Sequence, residues 1–188
     1  MATLTVFTPT YNRAYVLKQC YDSLCRQTCK DFVWLIVDDG SSDNTKEIVE
    51  KWMANDNGFE IRYVYKKNGG MHTGHNKAYE LIDTELNVCI DSDDFMPDDA
   101  VELIVNFWEE NKDSSYSGII ALDVYKNGQV IGKELPNKKS TTLSGYYQNG
   151  GQGDKKLIYR TEIINKYPPY PEFEGEKFVP LDYKYFLA

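Results

Sequence analysis

The fold is decided by residues 87–94, which read Asn-Val-Cys-Ile-Asp-Ser-Asp-Asp. A short apolar run ends there in three carboxylates within four residues, those of Asp91, Asp93 and Asp94. An apolar run followed at once by polar residues is typical of a buried strand whose carboxyl end opens on a site. Carboxylates this close repel one another unless a cation lies between them. The stretch therefore predicts a site for a hard divalent cation such as Mg²⁺ or Mn²⁺.

The alternative to a cation site is an acidic turn that only caps the next helix. Asp98 and Asp99 lie near the start of that helix and suit its dipole. Position alone does not separate the two interpretations, and the rest of the first half of the chain favours the site.

Four strand–helix units follow one another in the first half of the chain. The predicted strands cover residues 4–8, 32–37, 61–65 and 86–90, and each is followed by a segment with apolar residues at helical spacing. Such a succession predicts a parallel sheet with helices on both faces, whose ligand lies at the carboxyl ends of the strands. Polar loops occur at all four of those ends, at residues 9–13, 38–43, 66–70 and 91–94.

The pattern changes after Gly118. The pair Asn127-Gly128 between two apolar runs predicts a hairpin, and a further strand is predicted over residues 156–160. Residues 140–154 are rich in Gly, Ser and Thr, which favours a mobile loop of the lid type. Tyr146 and Tyr147 in this loop could stack on sugar rings or simply pack. A final helix is predicted to begin near Pro180.

Length and charge limit the classes of protein that fit. The chain has 188 residues, of which 41% are hydrophobic, and this favours one domain with a sizeable core. The net charge of −8 disfavours wholesale binding to nucleic acid. The apolar run at residues 33–37 is far too short to span a membrane, and no signal peptide is visible from Met1 onwards. These features predict a cytoplasmic location.

Four stretches together resemble the family 2 glycosyltransferases, the inverting type with the GT-A fold. They are residues 8–13 (Thr-Pro-Thr-Tyr-Asn-Arg), residues 37–43 (Val-Asp-Asp-Gly-Ser-Ser-Asp), Asn68-Gly69-Gly70 with Asn76-Lys77-Ala78, and residues 91–94. Their order and spacing extend over about residues 3 to 110. The resemblance implies one α/β domain over residues 1–188, with a mixed, mostly parallel sheet. Residues 1–112 would form the nucleotide-sugar-binding half, and residues 113–188 an acceptor-side half with the small hairpin.

The resemblance also implies a nucleotide-sugar donor, usually a UDP-sugar, and a divalent metal ion, Mn²⁺ or Mg²⁺. Asp93 would hold the metal ion, and Asp91 would contact the ribose or share the metal ion. Asp94 would replace Asp93 if the register slips by one residue. The residues implied at the nucleotide-sugar site are Thr8, Pro9, Tyr11, Arg13, Asp39, Asn68, Gly70, His75, Asp91 and Ser92.

His75 stands where the family often has an arginine that is available to the donor, and it carries less charge at neutral pH. His72 and His75 are the two histidines of the chain, three residues apart. They are interpreted as a solvated or structural pair, and a second metal site is the alternative.

Glycosyl transfer also needs a carboxylate that accepts the proton of the acceptor hydroxyl. The candidates are Glu176 first and Glu174 second, with Asp182 as a third. The family often has a Glu-Asp pair where this chain has Glu176-Lys177.

The implied reaction moves a sugar to a glycan or lipid-linked glycan acceptor, with bacterial surface polysaccharide synthesis as the setting. A lipid-linked acceptor would require a peripheral contact with the inner face of the membrane. Two alternatives stay open. A sugar nucleotidyltransferase would carry a Gly-rich turn directly after the first strand, whereas this chain has Thr-Pro-Thr-Tyr. A non-catalytic nucleotide-sugar-binding or scaffold domain is consistent with the incomplete Glu-Asp pair.

Overall fold

The computed structural model describes residues 2–188, which form six strands and seven helices. The strands are β1 (Leu4–Thr10), β2 (Phe32–Asp38), β3 (Glu60–Tyr65), β4 (Leu86–Cys89), β5 (Gly118–Leu122) and β6 (Lys155–Arg160). The helices are α1 (Ala14–Cys25), α2 (Thr45–Met53), α3 (Met71–Leu81), α4 (Ala100–Asn111), α5 (Leu143–Gln148), α6 (Thr161–Ile164) and α7 (Asp182–Tyr185).

One mixed sheet of six strands organises residues 2–188, in the order β3-β2-β1-β4-β6-β5. The first four strands pair in parallel, whereas β6 is antiparallel to both β4 and β5. The predicted mixed, mostly parallel sheet is therefore confirmed. The carboxyl ends of β1 to β4 lie at one edge of the sheet, which we call the rim.

Helices cover both faces of the sheet and bury two apolar cores. Side chains from α1, α2 and α4 pack on one face, where Leu17, Trp34 and Trp108 are buried. Helix α3 and residues after β6 pack on the other face around Phe7 and Tyr79. The continuous apolar run of β2 fits its place between β1 and β3, because both faces of this strand are covered.

Strand β1 continues through Pro9 to Thr10, so the predicted end of this strand at residue 8 is wrong. Pro9 pairs with Val37 of β2, whereas β4 accompanies β1 only as far as Phe7. Beyond Phe7, β1 therefore has a single neighbouring strand. A proline is tolerated at such an edge position because no partner there needs its missing N–H.

The predicted mobile loop at residues 140–154 contains α5, so the prediction is wrong for that part. Thr142 caps the helix by accepting a hydrogen bond from the Gly145 N–H at 2.9 Å. Tyr146 is buried and packs against the Lys155 ammonium, while Tyr147 stays 40% exposed. A buried tyrosine anchors this helix to the fold.

The predicted hairpin is present only in part. The Tyr125 N–H donates to the Gln129 carbonyl at 2.8 Å, and a single bridge joins Val124 to Val130. The turn thus forms as the Asn-Gly pair predicts, but the returning segment does not become a regular strand. None of the helices in residues 2–188 has the length and apolar character needed to cross a bilayer.

Candidate active site

The loops after β1 and β2 are fastened together by Asn12. Its backbone adopts a left-handed conformation with φ of 52°, which asparagine tolerates better than most residues. Its side-chain oxygen accepts hydrogen bonds from the N–H groups of Ser42 at 2.8 Å and Asp43 at 3.3 Å. Its own N–H donates to the Ser41 hydroxyl at 2.8 Å. This clamp fixes one side of the rim.

Asp39 forms the centre of a buried hydrogen-bonded cluster at the end of β2. Its carboxylate accepts from the Lys66 ammonium at 2.5 Å and from the Asn68 amide at 3.0 Å. The backbone N–H groups of Gly69 and Gly70 donate to it at 3.0 and 2.8 Å. The carboxylate lies at the start of α3, where the helix dipole favours negative charge. We call these five residues the Asp39 cage.

Asp38 is buried as well and points to different partners. It accepts from the Tyr63 hydroxyl at 2.6 Å and from the Ser41 N–H at 2.7 Å. Burial and the hydrogen bond to Asp38 both raise the pKa of Tyr63, so this phenol stays protonated and keeps donating. The two adjacent aspartates therefore hold two separate loops.

The acidic loop after β4 lies at the rim beside β1. The Arg13 guanidinium forms an ion pair with the Asp93 carboxylate at 2.8 Å, and the two side chains are 42% and 52% exposed. The Gln19 amide donates to the Asp93 carbonyl at 2.8 Å, which ties the loop to α1. Ser92 between the carboxylates is buried. The structure therefore brings Arg13 and Asp93, predicted from separate motifs, into direct contact.

The charge of Lys156, a residue that the sequence analysis missed, acts on Asp91. Partial desolvation raises the pKa of Asp91, the Lys156 ammonium opposes that rise, and the neighbouring Asp94 and Asp93 add to it. Lys156 also forms an ion pair with Asp123 at 3.7 Å. In the sequence, the signal for this contact was a lysine within an apolar strand. The contact itself could not be predicted, because it depends on the antiparallel pairing of β6 with β4.

The acidic loop fits a metal ion that takes most of its ligands from elsewhere. Within residues 2–188, no group of three or more His, Cys, Asp or Glu side chains is placed to hold a metal ion. Asp91 and Asp93 can therefore offer two carboxylates at most. Mg²⁺ commonly binds through one or two carboxylates and completes its shell with water and substrate phosphates. The Arg13 guanidinium already pairs with Asp93, which is consistent with a loop that attracts positive charge.

Three residues of the first loop have different environments. Thr8 is fully buried and accepts a hydrogen bond from the Trp34 indole at 3.0 Å, so the structure does not bring its side chain to the rim. Pro9 is buried against α3, where a Cβ added at Gly74 would lie 3.3 Å from the proline ring. Tyr11 is 48% exposed, and its ring is free to meet a ligand.

His75 lies in the interior instead of at the rim. It is 1% exposed and contacts the rings of Phe7, Tyr79 and Tyr170 at centroid distances of 5.1 to 6.1 Å. Burial, followed by the nearby charge of Lys184, lowers the pKa of His75 to about 3. The structure therefore does not bring the His75 side chain to the open rim, where it could contact the donor in place of an arginine. The histidine pair is buried rather than solvated.

The buried state of His75 makes the stability of the protein sensitive to acid. The unfolded chain protonates this residue below pH 6.5, whereas the folded chain keeps it neutral down to about pH 3. The contribution of His75 to the free energy of unfolding is therefore complete above pH 6.5. It falls by up to about 1.4 kcal/mol per pH unit as the pH decreases towards 3.

Urea denaturation at pH 7 and pH 5 tests this expectation on the wild type and on His75→Phe. The loss on acidification should be about 2 kcal/mol smaller in the variant, because phenylalanine cannot take up the proton. An equal loss in both proteins would contradict the assignment.

The segment that carries the candidate bases lies against the Asp39 cage. The Lys177 ammonium donates to the Asn68 side chain, and a Cβ added at Gly70 would lie 2.1 Å from the Lys177 carbonyl oxygen. Glu176 is exposed, and one carboxylate oxygen accepts from the N–H groups of Lys177 and Phe178, both at 2.8 Å. Glu174 is exposed in the same turn. The contacts of Lys177 therefore bring Glu176 to the cage side of the rim.

The rim and the sheet order define a protein of the GT-A class, in which an α/β sheet presents a nucleotide-binding half beside an acidic loop. Residues 5–167 match the profile of Glycosyl transferase family 2. The chain belongs to that family.

Relatives and a solved structure support the assignment to this family. The chain is 31% identical over 144 residues to "Chondroitin synthase" of Pasteurella multocida (strain Pm70), covering 74% of this chain and 15% of that protein. It is 30% identical over 177 residues to "Glycosyltransferase GlyG" of Streptococcus pneumoniae serotype 4, covering 94% of this chain and 54% of that protein. S. aureus TarS 1–349 in complex with UDP-GlcNAc superposes with a TM-score of 0.69 and 25% identity, over 88% of this chain and 47% of that chain. This chain therefore spans about half or less of each relative's length.

Proposed function

We propose that this chain is the donor-binding part of an inverting glycosyltransferase that takes a sugar from a nucleoside diphosphate. The observation that carries the proposal is that two motifs meet at one rim, where Arg13 of the loop after β1 forms an ion pair with Asp93 of the acidic loop. A UDP-sugar is the proposed donor, and the solved complexes of TarS with UDP and with UDP-GlcNAc support this choice.

The acidic loop and Arg13 would manage the charge of the diphosphate. We assign Asp93 and Asp91 as the residues that hold Mn²⁺ or Mg²⁺. Such an ion supplies Lewis-acid stabilisation of the leaving diphosphate. Arg13 would then exchange its partner, because a guanidinium released from Asp93 can donate to phosphate oxygens. Asn68 and Gly70 donate hydrogen bonds to Asp39, and the loop that they hold would lie beside the nucleoside. Tyr11 is exposed, and its ring would contact the base.

The proton of the acceptor hydroxyl would pass to a carboxylate of the segment over the cage. Glu176 is the first candidate and Glu174 the second, because both are exposed beside Lys177, which packs on Gly70. A hydroxyl deprotonated on this side attacks the sugar opposite its leaving diphosphate. Direct displacement of that kind inverts the anomeric centre.

The acceptor half and the cellular setting are part of the same proposal. Residues 1–112 would bind the donor, and residues 113–188 would form the start of the acceptor side. The chondroitin and hyaluronan synthases among the relatives support a growing glycan or lipid-linked glycan as acceptor, in cell-surface polysaccharide synthesis. The proposed place is the cytoplasm, at the inner face of the membrane where lipid-linked acceptors are available.

A thermal-shift panel of UDP, GDP and CDP, each with Mn²⁺ or with EDTA, tests the donor site. A nucleotide present at 100 times its dissociation constant should stabilise the folded protein by about 2.7 kcal/mol. We expect this shift with UDP and Mn²⁺, and its loss with EDTA or in Asp93→Ala. A folded sample that shows no shift with any nucleotide would overturn the proposed function.

A further inference from the structure

The acidic loop between β4 and α4 takes its shape from contacts with other elements. Residues 90–99 form an irregular connection, in which the Asp94 N–H donates to the Asp91 carbonyl at 3.0 Å. The backbone of such a loop moves unless neighbouring groups hold it. A metal site, by contrast, needs ligands that surrounding groups keep in place. The support of this loop therefore determines how well Asp93 can bind a metal ion.

Two buried side chains hold the far half of the loop against α1. The Ser23 hydroxyl accepts a hydrogen bond from the Met96 N–H at 3.1 Å. The Gln27 amide, just beyond the end of the helix, donates to the Pro97 carbonyl at 2.7 Å and accepts from the Val101 N–H at 2.9 Å. Both side chains are shielded from water, with exposures of 0% and 3%, which strengthens their hydrogen bonds. This half of the loop is therefore fixed.

Gln19 supports the half of the loop that carries the carboxylates. It precedes Ser23 by four residues, so the two side chains lie on one face of α1. The Gln19 amide donates to the Asp93 carbonyl at 2.8 Å. Unlike Ser23, Gln19 is only half-buried. Its hydrogen bond to the loop therefore depends on what else holds the amide in place.

Lys126 orients the Gln19 amide from the second half of the chain. Its ammonium, in the turn of the partial hairpin, donates to the Gln19 side-chain oxygen at 2.7 Å. The same ammonium lies 5.9 Å from the centre of the Phe95 ring in the acidic loop. An ammonium only donates and a carbonyl only accepts. The amide oxygen must therefore face Lys126, and the amide NH₂ group must face Asp93.

The contact of Gln19 with Asp93 is separate from the carboxylate. Arg13 pairs with that carboxylate at 2.8 Å, and in the proposed reaction it would leave Asp93 for the diphosphate. Gln19 binds the backbone carbonyl instead. Its hydrogen bond can therefore persist when the carboxylate changes partners, and it continues to hold Asp93 after Arg13 has moved.

We propose that Gln19, oriented by Lys126, is a positioning residue for the metal ion at Asp93. The inference rests on the proposed function and adds a pair of residues to it. Both residues act through the backbone of Asp93 rather than by touching the donor. The hairpin turn of the second half thereby supports the metal site of the donor half.

A Mn²⁺ titration of UDP binding tests the proposal, with bound UDP measured by equilibrium dialysis. Gln19→Met keeps the length of the side chain and removes both hydrogen bonds, and Lys126→Met removes the ammonium. Each should raise the half-maximal Mn²⁺ concentration about tenfold, as expected when a group that orients a metal ligand is lost. Charge alone predicts the opposite sign for Lys126→Met, because loss of an ammonium beside carboxylates strengthens cation binding.

Two further variants separate positioning from other effects. Lys126→Arg keeps a donating cation and should recover part of the loss. Lys18→Met is the matched control, because it removes the same charge from a lysine that pairs with Asp22 at 2.6 Å on α1, and it should leave the Mn²⁺ requirement unchanged. The urea midpoint of every ligand-free variant should stay near that of the wild type, since Gln19 is half-buried and both lysines are exposed.

The double variant Gln19→Met/Lys126→Met should need no more Mn²⁺ than either single variant, because both changes act through one contact. Losses that add in the double variant would overturn the inference, since Lys126 would then act independently of Gln19. An unchanged half-maximal Mn²⁺ concentration in both single variants would also overturn it, whatever the amount of UDP bound, and would leave the proposed function standing. A wild-type protein that binds no UDP at any Mn²⁺ concentration would overturn both.

Discussion

Asp39→Ala is expected to lower the free energy of unfolding by about 3–5 kcal/mol, the usual cost of removing one partner from a buried ion pair. The side chains of Asp39 and Lys66 are 6% and 20% exposed, so the lysine left behind cannot regain full hydration. The N–H groups of Gly69 and Gly70 lose their acceptor at the same time. Urea denaturation at pH 7 measures this loss directly.

Asp93→Ala is the matched comparison for that experiment, because it removes a rim carboxylate that is half exposed, whereas Asp39 is buried. The Arg13–Asp93 pair is about half exposed, so its loss should cost less than about 1 kcal/mol. Nucleotide binding should nevertheless fail in both variants. If Asp39→Ala proves as stable as the wild type while UDP binding is lost, Asp39 serves the nucleoside and not the cage. That outcome would contradict the structural role argued above.

The arrangement of strands and helices in the first half of the chain could be predicted from sequence, because it depends on patterns among residues that are close together in the chain. Each parallel strand is an apolar run, each helix repeats its apolar residues, and each polar loop directly follows a strand. The carboxyl ends of parallel strands meet at one edge. For that reason Asp39, Asp91 and Asp93 could be assigned to one rim without knowing any long-range contact.

The features that sequence could not supply depend on contacts between distant residues. Pro9 remains in a strand because β4 has already ended beside it. His75 is buried because Tyr170, 95 positions later, closes over it. Lys156 meets the acidic cluster only through the antiparallel pairing of β6, and Tyr146 orders a helix within a glycine-rich stretch. Composition describes none of these pairings.

Glu176→Gln is expected to reduce kcat by about 10²–10⁴-fold, the usual contribution of a general base. The substitution preserves shape, and the amide oxygen can still accept from the N–H groups of Lys177 and Phe178. Stability and the KM for the donor should therefore stay near the wild-type values, since the change acts on the proton transfer alone. Release of UDP from the bound donor in the presence of an oligosaccharide acceptor measures kcat.

Glu174→Gln distinguishes the two carboxylates, because Glu174 lies in the same exposed turn and carries the same charge. If Glu176 is the base, this control keeps most of its activity, and only Glu176→Gln loses the acidic limb of the pH profile of kcat/KM. The reverse pattern would assign the base to Glu174. Full activity in the double variant Glu174→Gln/Glu176→Gln would exclude both carboxylates of the exposed turn as the source of the base, because neither would then be left to accept the proton.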